Sequence, residues 1–294
     1  MPLSQNFDPT YFSQSGWSER VDAWELAHSN SEFAAGNSDV ARQSVIDPES
    51  GLRVVVNIGT HALLKVFPDG RYLNLYERPV IGDVPIEEAS DARVKVDTAL
   101  GLDGPHVYFG AVALGGVGVR FYGEYCMILK IDDIDPDPQL FDRDSYDILL
   151  EPINDLPERD ELISYLKGSW KDDKEAMVLM KVLPELDHER RLATTGTISD
   201  LVLKDQEFIE VHIRPAQDGG EPRSFGPTDI EELRESPDEV AVASRLRERE
   251  TEGLRLSDIE HEWLLRRESV ARVVEKVQLP TRVVTQHGRG YQWK

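Results

Sequence analysis

The sequence predicts an α+β fold: a mostly antiparallel sheet built from two groups of strands, flanked by helices, with a helical C-terminal segment. Two observations point there. β-Branched and aromatic runs gather at 52–77 and 106–131 and again at 201–213, and helical periodicity fills the intervals and the end of the chain. A third observation narrows the class: the regular strand–helix–strand alternation of a doubly wound sheet is missing.

Composition bounds the function. The chain has 294 residues, 40% of them hydrophobic, which suffices for a core. We expect an N-terminal arm over 1–45 and a single α+β domain over 46–294, with a possible helical sub-domain at 227–280. No window nears the ~18–20 apolar residues of a membrane span, and Met1 to Trp17 lacks a basic-then-apolar signal pattern, so a cytoplasmic protein is expected. A single cysteine, Cys126, excludes an internal disulfide and a multi-cysteine zinc site. Acidic residues number 55 against 33 basic, a net charge of −22. That balance argues against a broad nucleic-acid-binding surface and suits a basic protein partner. It leaves the oligomeric state open.

The elements follow in order. Glu19 to His28 suggests a short helix in an arm packed onto the body, since Trp17 and Trp24 make a loose tail improbable. Leu52 to Ile58 is β-branched and reads as a strand. His61 to Phe67, Pro68-Asp-Gly70 and Arg71 to Glu77 suggest a hairpin, with Gly70 free to take positive φ. Pro79, Gly82 and Pro85 mark a loop, and Ile86 to Leu100 suits a short helix. Val107 to Leu114 reads as a buried strand. Val117 to Ile131 alternates, with Val117, Val119, Phe121, Tyr125, Met127, Leu129 and Ile131 on one face and Arg120, Tyr122, Glu124 and Lys130 on the other.

Asp132 to Asp147 reads as a solvated acidic loop, and Pro157 to Leu186 as helix in two pieces, Leu162, Leu166 and Trp170 lining one face and Met177, Met180 and Leu183 continuing at helical spacing. Leu201 to Lys204 and Glu207 to Ile213 are the later strands. In the second, Ile209, Val211 and Ile213 oppose Phe208, Glu210 and His212. Thr228 suits a cap for a helix over 229–234, and 238–250 a charged helix. Ser257 opens the clearest helix, with Ile259, Trp263, Val270, Val274 and Val277 as its apolar stripe.

Phosphate-loop, HExxH and nucleophile-elbow motifs are absent, and Gly115-Gly116-Val-Gly118 lies between strands rather than before a helix. Two polar strand faces are the candidates for chemistry. Arg120, Tyr122 and Glu124 would stand ~6.6–7 Å apart on one face, spaced to grip successive groups of a small ligand. Arg120 suits a phosphate or carboxylate, Tyr122 a flat ring and Glu124 a ribose hydroxyl. The same alternation also suits a solvent-facing strand with an Arg–Glu pair. Glu210 and His212 share the other face and suit acid–base work or the stabilisation of a developing cation, or equally a structural pairing with a cross-strand cation. Arg143-Asp-Ser-Tyr146 could form a ligand-contacting turn, and the aspartates at 132, 133, 135 and 137 raise the question of a hard cation. His287-Gly-Arg-Gly-Tyr-Gln-Trp-Lys294 is expected to dock on its own domain through Tyr291 and Trp293.

Pro105 to Leu114, Val119 to Lys130 and Leu203 to His212 together resemble segments of the bacterial ADP-ribosyltransferase-like toxins and abortive-infection proteins. The resemblance implies an NAD-dependent ADP-ribosyl transferase or NAD glycohydrolase, toxin- or defence-like, acting on a macromolecular target with NAD as substrate. It implies Glu210 as catalytic glutamate, Gln206 or Glu207 near the acceptor, His61 gripping NAD and Tyr108 stacking on nicotinamide. This sequence departs from the family in the four-residue step from Gln206 to Glu210, and in having only Thr194 to Ser199 where a Ser-Thr-Ser segment is usual. The site expected on all grounds comprises Glu210, Glu124 and His212 as catalytic residues and His61, Tyr108, Arg120 and Tyr122 around NAD, with no metal. The alternative is a non-enzymatic acidic binding protein, such as an antitoxin, immunity protein or nucleic-acid mimic. A metal-dependent nuclease ranks last.

Overall fold

Val54, Val55 and Val56 lie at the centre of Leu52–Ile58, a strand buried on both faces, as a run of β-branched residues favours. The computed structural model describes residues 16–47, 51–72, 94–102, 106–145, 163–204, 207–215, 217–218, 221–222 and 224–284. The expectations for 73–93, Tyr146, 157–162, Gln206, the glycines at 219 and 220 and His287 to Lys294 fall outside these residues.

The strands are β1 Leu52–Ile58, β2 Tyr108–Leu114, β3 Tyr125–Leu129, β4 Gln139–Phe141, β5 Lys167–Ser169, β6 Glu210–Ile213, β7 Gln217–Asp218, β8 Glu221–Pro222, β9 Ile230–Glu235 and β10 Thr281–Val283. Eight of them form one sheet in the order β10-β9-β3-β1-β2-β6-β4-β5, and β7 and β8 pair separately. Every neighbouring pair in the large sheet is antiparallel except β10 with β9. The helices are α1 Trp17–Ala27, α2 Glu32–Ile46, α3 Thr60–Asp69, α4 Ile131–Ile134, α5 Trp170–His188, α6 Thr195–Val202, α7 Pro237–Thr251 and α8 Asp258–Lys276. Shorter helical turns occupy 94–100 and 163–166. The α+β class and the mostly antiparallel sheet are therefore as expected.

The sheet's two faces have different covers. Its first face, with Val54, Val56, Ile58, Val112, Met127, Leu129, Val211 and Ile213, shares one core with α1, α2, α3, α5, α6 and α8. On the second face, Val55, Ala111, Cys126 and Ile128 lie beneath Val117, Val119 and Phe208. Phe141 on that face packs with Val96, Leu100 and Leu166.

Several local expectations are corrected. The segment 61–67 is part of α3, not a strand. Leu63, Val66 and Phe67 are buried at helical spacing, and Gly70 closes the helix in the left-handed conformation at φ 73. The pattern from Val117 to Ile131 is not one strand. Gly118 turns the chain at φ 66, where an added Cβ would lie 2.0 Å from Asn57 Oδ1, and Arg120–Tyr122 forms a single 3-10 turn. Only Tyr125–Leu129 joins the sheet, and Phe121 is 64% exposed.

The acidic loop is also more ordered than charge alone suggests. It holds α4 and β4, Asp135 accepts the Arg214 N–H at 2.7 Å, and Asp137 accepts that of Lys171 at 2.9 Å in the first turn of α5. Residues 201–202 end α6 instead of forming a strand, and 230–235 is strand β9 instead of a helix. The N-terminal arm holds a second helix, α2, and both of its helices pack on α5. In α8 the buried positions are Leu264, Arg267, Val270 and Val274, while Ile259 is 81% exposed.

A buried charge cluster joins the helical end of the chain to the sheet. Arg267 of α8 pairs with Glu235 at the end of β9 and lies 4.0 Å from Glu239 of α7, which also accepts from Arg120 at 2.7 Å. The Arg267 guanidinium stands over the rings of Tyr125 and Trp263 at 5.4 and 5.1 Å. Arg267→Met removes one partner and leaves Glu235 and Glu239 at 17% and 14% exposure. The expected loss is about 3 kcal/mol, seen as a Tm lower by roughly 5–10 °C. An unchanged Tm would show that this cluster does not hold α8 in place. Burial pushes the Cys126 thiol up to about 12, with Glu232 adding to the rise and Arg234 opposing it. A thiol reagent at pH 8 is expected to leave native protein unlabelled and to label it fully in denaturant; rapid native labelling would contradict the packing around β3.

Candidate functional site

The two-residue period of β6 places Glu210 and His212 on the second face of the sheet. Glu210 lies opposite Ala111 and Phe141, and His212 opposite Phe109 and Gln139. Glu210 is 3% exposed and His212 is fully buried. The carboxylate is held on several sides. Ser145 donates its N–H to Oε2 at 2.8 Å and its hydroxyl to Oε1 at 2.8 Å, and His212 Nε2 lies 2.7 Å from Oε1. These short bonds to a charged acceptor are strong in a buried setting. Donation from Nε2 to the carboxylate selects the tautomer and leaves Nδ1 without a hydrogen-bond partner. The imidazole stacks on Phe141 with ring centroids 6.1 Å apart and meets Phe109 edge-on at 5.5 Å.

The turn 142–145, at the end of β4, is the hub. Asp144, next to Ser145, accepts from the Tyr122 hydroxyl at 2.8 Å. The Tyr122 ring meets Phe208 edge-on at 6.0 Å and is 50% exposed. Asp142 offers its carbonyl to Lys181 Nζ of α5 at 3.2 Å. Three expected site residues, Glu210, His212 and Tyr122, thus meet around the Arg143-Asp-Ser segment.

The other four lie elsewhere. Tyr108 points into the first-face core, against Tyr72 at 5.9 Å and Phe225 at 5.1 Å. A side chain one step out of phase with Glu210 cannot join it on one face, so Tyr108 is not in position to stack on a ring at Glu210. His61 is exposed in the first turn of α3. Glu124 accepts from both the N–H and the hydroxyl of Thr60, capping α3, whose own N-cap Gly59 has no side chain to do so. Through β2 and β1 the register sets Glu210 level with Ile128 of β3, three strands away, and Glu124 lies four residues further along, so the two stand on the order of 20 Å apart. Arg120 belongs to the charge cluster with Glu239. The polar strand face expected of Arg120, Tyr122 and Glu124 is not formed, because the 3-10 turn sends the three side chains to three different partners.

Ser145 is a partner of Glu210 that the sequence reading placed only in a turn, and its pairing across 65 residues has no local signal. Among the described residues no group of three or more His, Cys, Asp or Glu is placed to hold a metal ion, and no helix is long and apolar enough to cross a membrane.

No family model matches the chain, no curated protein matches its sequence and no solved structure matches its fold. The chemistry of the site therefore rests on its own geometry.

If Ser145 and Glu210 act as one unit, their substitutions are coupled. Ser145→Ala and Glu210→Gln are each expected to lower stability by about 1–3 kcal/mol, and the double variant to cost less than their sum by at least ~1 kcal/mol. Urea unfolding of the four proteins measures this, and strict additivity would show that the two side chains do not share a bond in solution.

Proposed function

We propose that the chain is an NAD-consuming ADP-ribosyl transferase or NAD glycohydrolase in which Glu210 stabilises the ribosyl cation. The observation that supports this reading is the fixing of the Glu210 carboxylate by Ser145 and His212, with half-exposed Tyr122 bonded to Asp144 beside Ser145. When nicotinamide leaves, the C1′–N bond breaks with its electron pair going to the ring, and positive charge develops on the ribose. A carboxylate already oriented in a low-dielectric setting attracts that charge more strongly in the transition state than in the ground state. An acceptor hydroxyl or water then bonds C1′ and gives up its proton to solvent water. In this reading His212 and Ser145 orient Glu210, and Tyr122 offers its face to the flat ring. His61, Tyr108, Arg120 and Glu124 have no part in it.

The experiment is to incubate purified protein with NAD and follow nicotinamide release. Wild type is expected to release it, and Glu210→Gln to slow release by at least 100-fold, in line with the loss of a preorganised electrostatic group. Release by Glu210→Gln at the wild-type rate would remove Glu210 from the mechanism.

A second reading, an acidic binding protein without catalysis, is supported by the 3% exposure of Glu210 together with the net charge of −22. In that case the Ser145–Glu210–His212 group is a buried lock and the surface carries the function through a basic partner. No nicotinamide release by wild type would favour it.

A further inference from the structure

Arg120 and Tyr122 are two residues apart and reach two separate polar groups. Arg120 donates to Glu239 in the first turn of α7 at 2.7 Å, with both side chains largely buried. The Tyr122 hydroxyl donates to Asp144 at 2.8 Å, and the next residue, Ser145, holds the Glu210 carboxylate through its N–H and its hydroxyl. A 3-10 helix has three residues per turn, so side chains two apart point about 120° from each other. One therefore faces the helical end of the chain and the other the 142–145 turn.

The backbone between them has little slack. Tyr122 donates its N–H to the Val119 carbonyl at 3.1 Å, and Gly123 to that of Arg120 at 3.2 Å. Asn57 of β1 clamps both ends of the segment, its Nδ2 donating to the carbonyls of Val117 at 2.9 Å and Gly123 at 3.1 Å. Held at these two points, the 3-10 turn pivots as one body, and a pull on Arg120 reaches Tyr122.

Glu239 also has a second partner within reach. Its other carboxylate oxygen lies 4.0 Å from Nη1 of Arg267, and that Nη1 is buried without a hydrogen-bond partner. The Nη2 of Arg267 is taken by Glu235. A buried donor left unfilled favours an arrangement that fills it. Rotation of Glu239 toward Arg267 does so at the expense of its bond to Arg120. Two discrete partners for one carboxylate make a two-state element, as coupling between separate sites requires.

We propose that Glu239 is the switch of a conformational device whose lever is the 120–122 turn. While Glu239 holds Arg120, Tyr122 and Asp144 keep Ser145 on Glu210; when Glu239 turns to Arg267, that hold loosens. Glu239 is then a positioning residue for Glu210. The device concerns how firmly Glu210 is held, not what it acts on, so it is independent of the NAD reading.

Amide hydrogen exchange followed by NMR at the Ser145 N–H, a buried donor to Glu210, tests it. Glu239→Gln keeps the shape of the side chain and removes the charge that holds Arg120. It is expected to speed Ser145 exchange about fivefold or more. Tyr122→Phe removes the hydroxyl bonded to Asp144 and is expected to do the same. With the lever cut in this way, adding Glu239→Gln should change Ser145 exchange by less than about twofold. Glu239→Asp, which keeps the charge and withdraws it from Arg120, takes the place of Glu239→Gln if that variant fails to fold. Val274→Ala, in the first-face core on α8, is the control for general destabilisation. It should lower Tm and leave Ser145 exchange unchanged. Equal effects of Glu239→Gln with and without the Tyr122 hydroxyl would overturn the device, as would unchanged exchange in both single variants. A matching rise in Val274→Ala would also overturn it, because Ser145 would then be released only by global unfolding. Nicotinamide release has no part in these readouts, so their failure leaves the NAD reading untouched.

Discussion

β6 lies between β2 and β4 with Ala111 and Phe141 flanking Glu210, and every other property of the candidate site follows from that register. A strand alternates its side chains, so a slip of one residue would bring Glu210 and His212 into the first-face core and Val211 out to the polar turn. Such a slip is strongly disfavoured because Ile209, Val211 and Ile213 belong to the main core, among helices that accept only apolar side chains. The hydrophobic face thus determines where the polar face stands. Once there, a carboxylate and an imidazole on one strand need partners, and the 142–145 turn supplies them through Ser145.

The polar groups of this protein are used in two physically different ways. The cluster of Arg120, Glu235, Glu239 and Arg267 gathers opposite charges from four separate segments and balances them where β3, β9, α7 and α8 converge. Each of its charges meets an opposite charge, although the buried Nη1 of Arg267 makes no hydrogen bond. The Ser145–Glu210–His212 group is different in kind. Its hydrogen bonds converge on one carboxylate, and the Nδ1 of His212 has no hydrogen-bond partner.

Secondary structure was legible where one interaction dominated locally. β1 follows from its β-branched run, and α8 from Ser257, whose hydroxyl accepts from the Glu260 N–H while Glu260 accepts from that of Ser257. The errors have one physical origin, that local preference is weaker than tertiary burial. Residues 61–67 have strand-like composition, yet Leu63, Val66 and Phe67 satisfy the core only from a helix. Residues 230–235 look amphipathic, yet β3 offered an open edge on which Leu233 could be buried. Alternation from Val117 to Ile131 was real in the sequence, but the turn at Gly118 and the 3-10 turn after it broke the strand.

By itself the sequence determined the class of fold, the pairing of Glu210 with His212 on one face of a strand, and the exclusion of an internal disulfide, because composition and a period of two are local properties. Only the tertiary structure decided which polar residues meet. Tyr108 and Glu210 sit on neighbouring strands yet on opposite sides of the sheet, and Glu124 and Arg120 are claimed by a helix terminus and an ion cluster. Ser145 reaches Glu210 from the turn after β4, and Tyr122 reaches the neighbouring Asp144 from a separate stretch of chain. Contacts between residues so far apart in sequence depend on how strands pair and helices cover them, and nothing in the residues adjacent to each one encodes that.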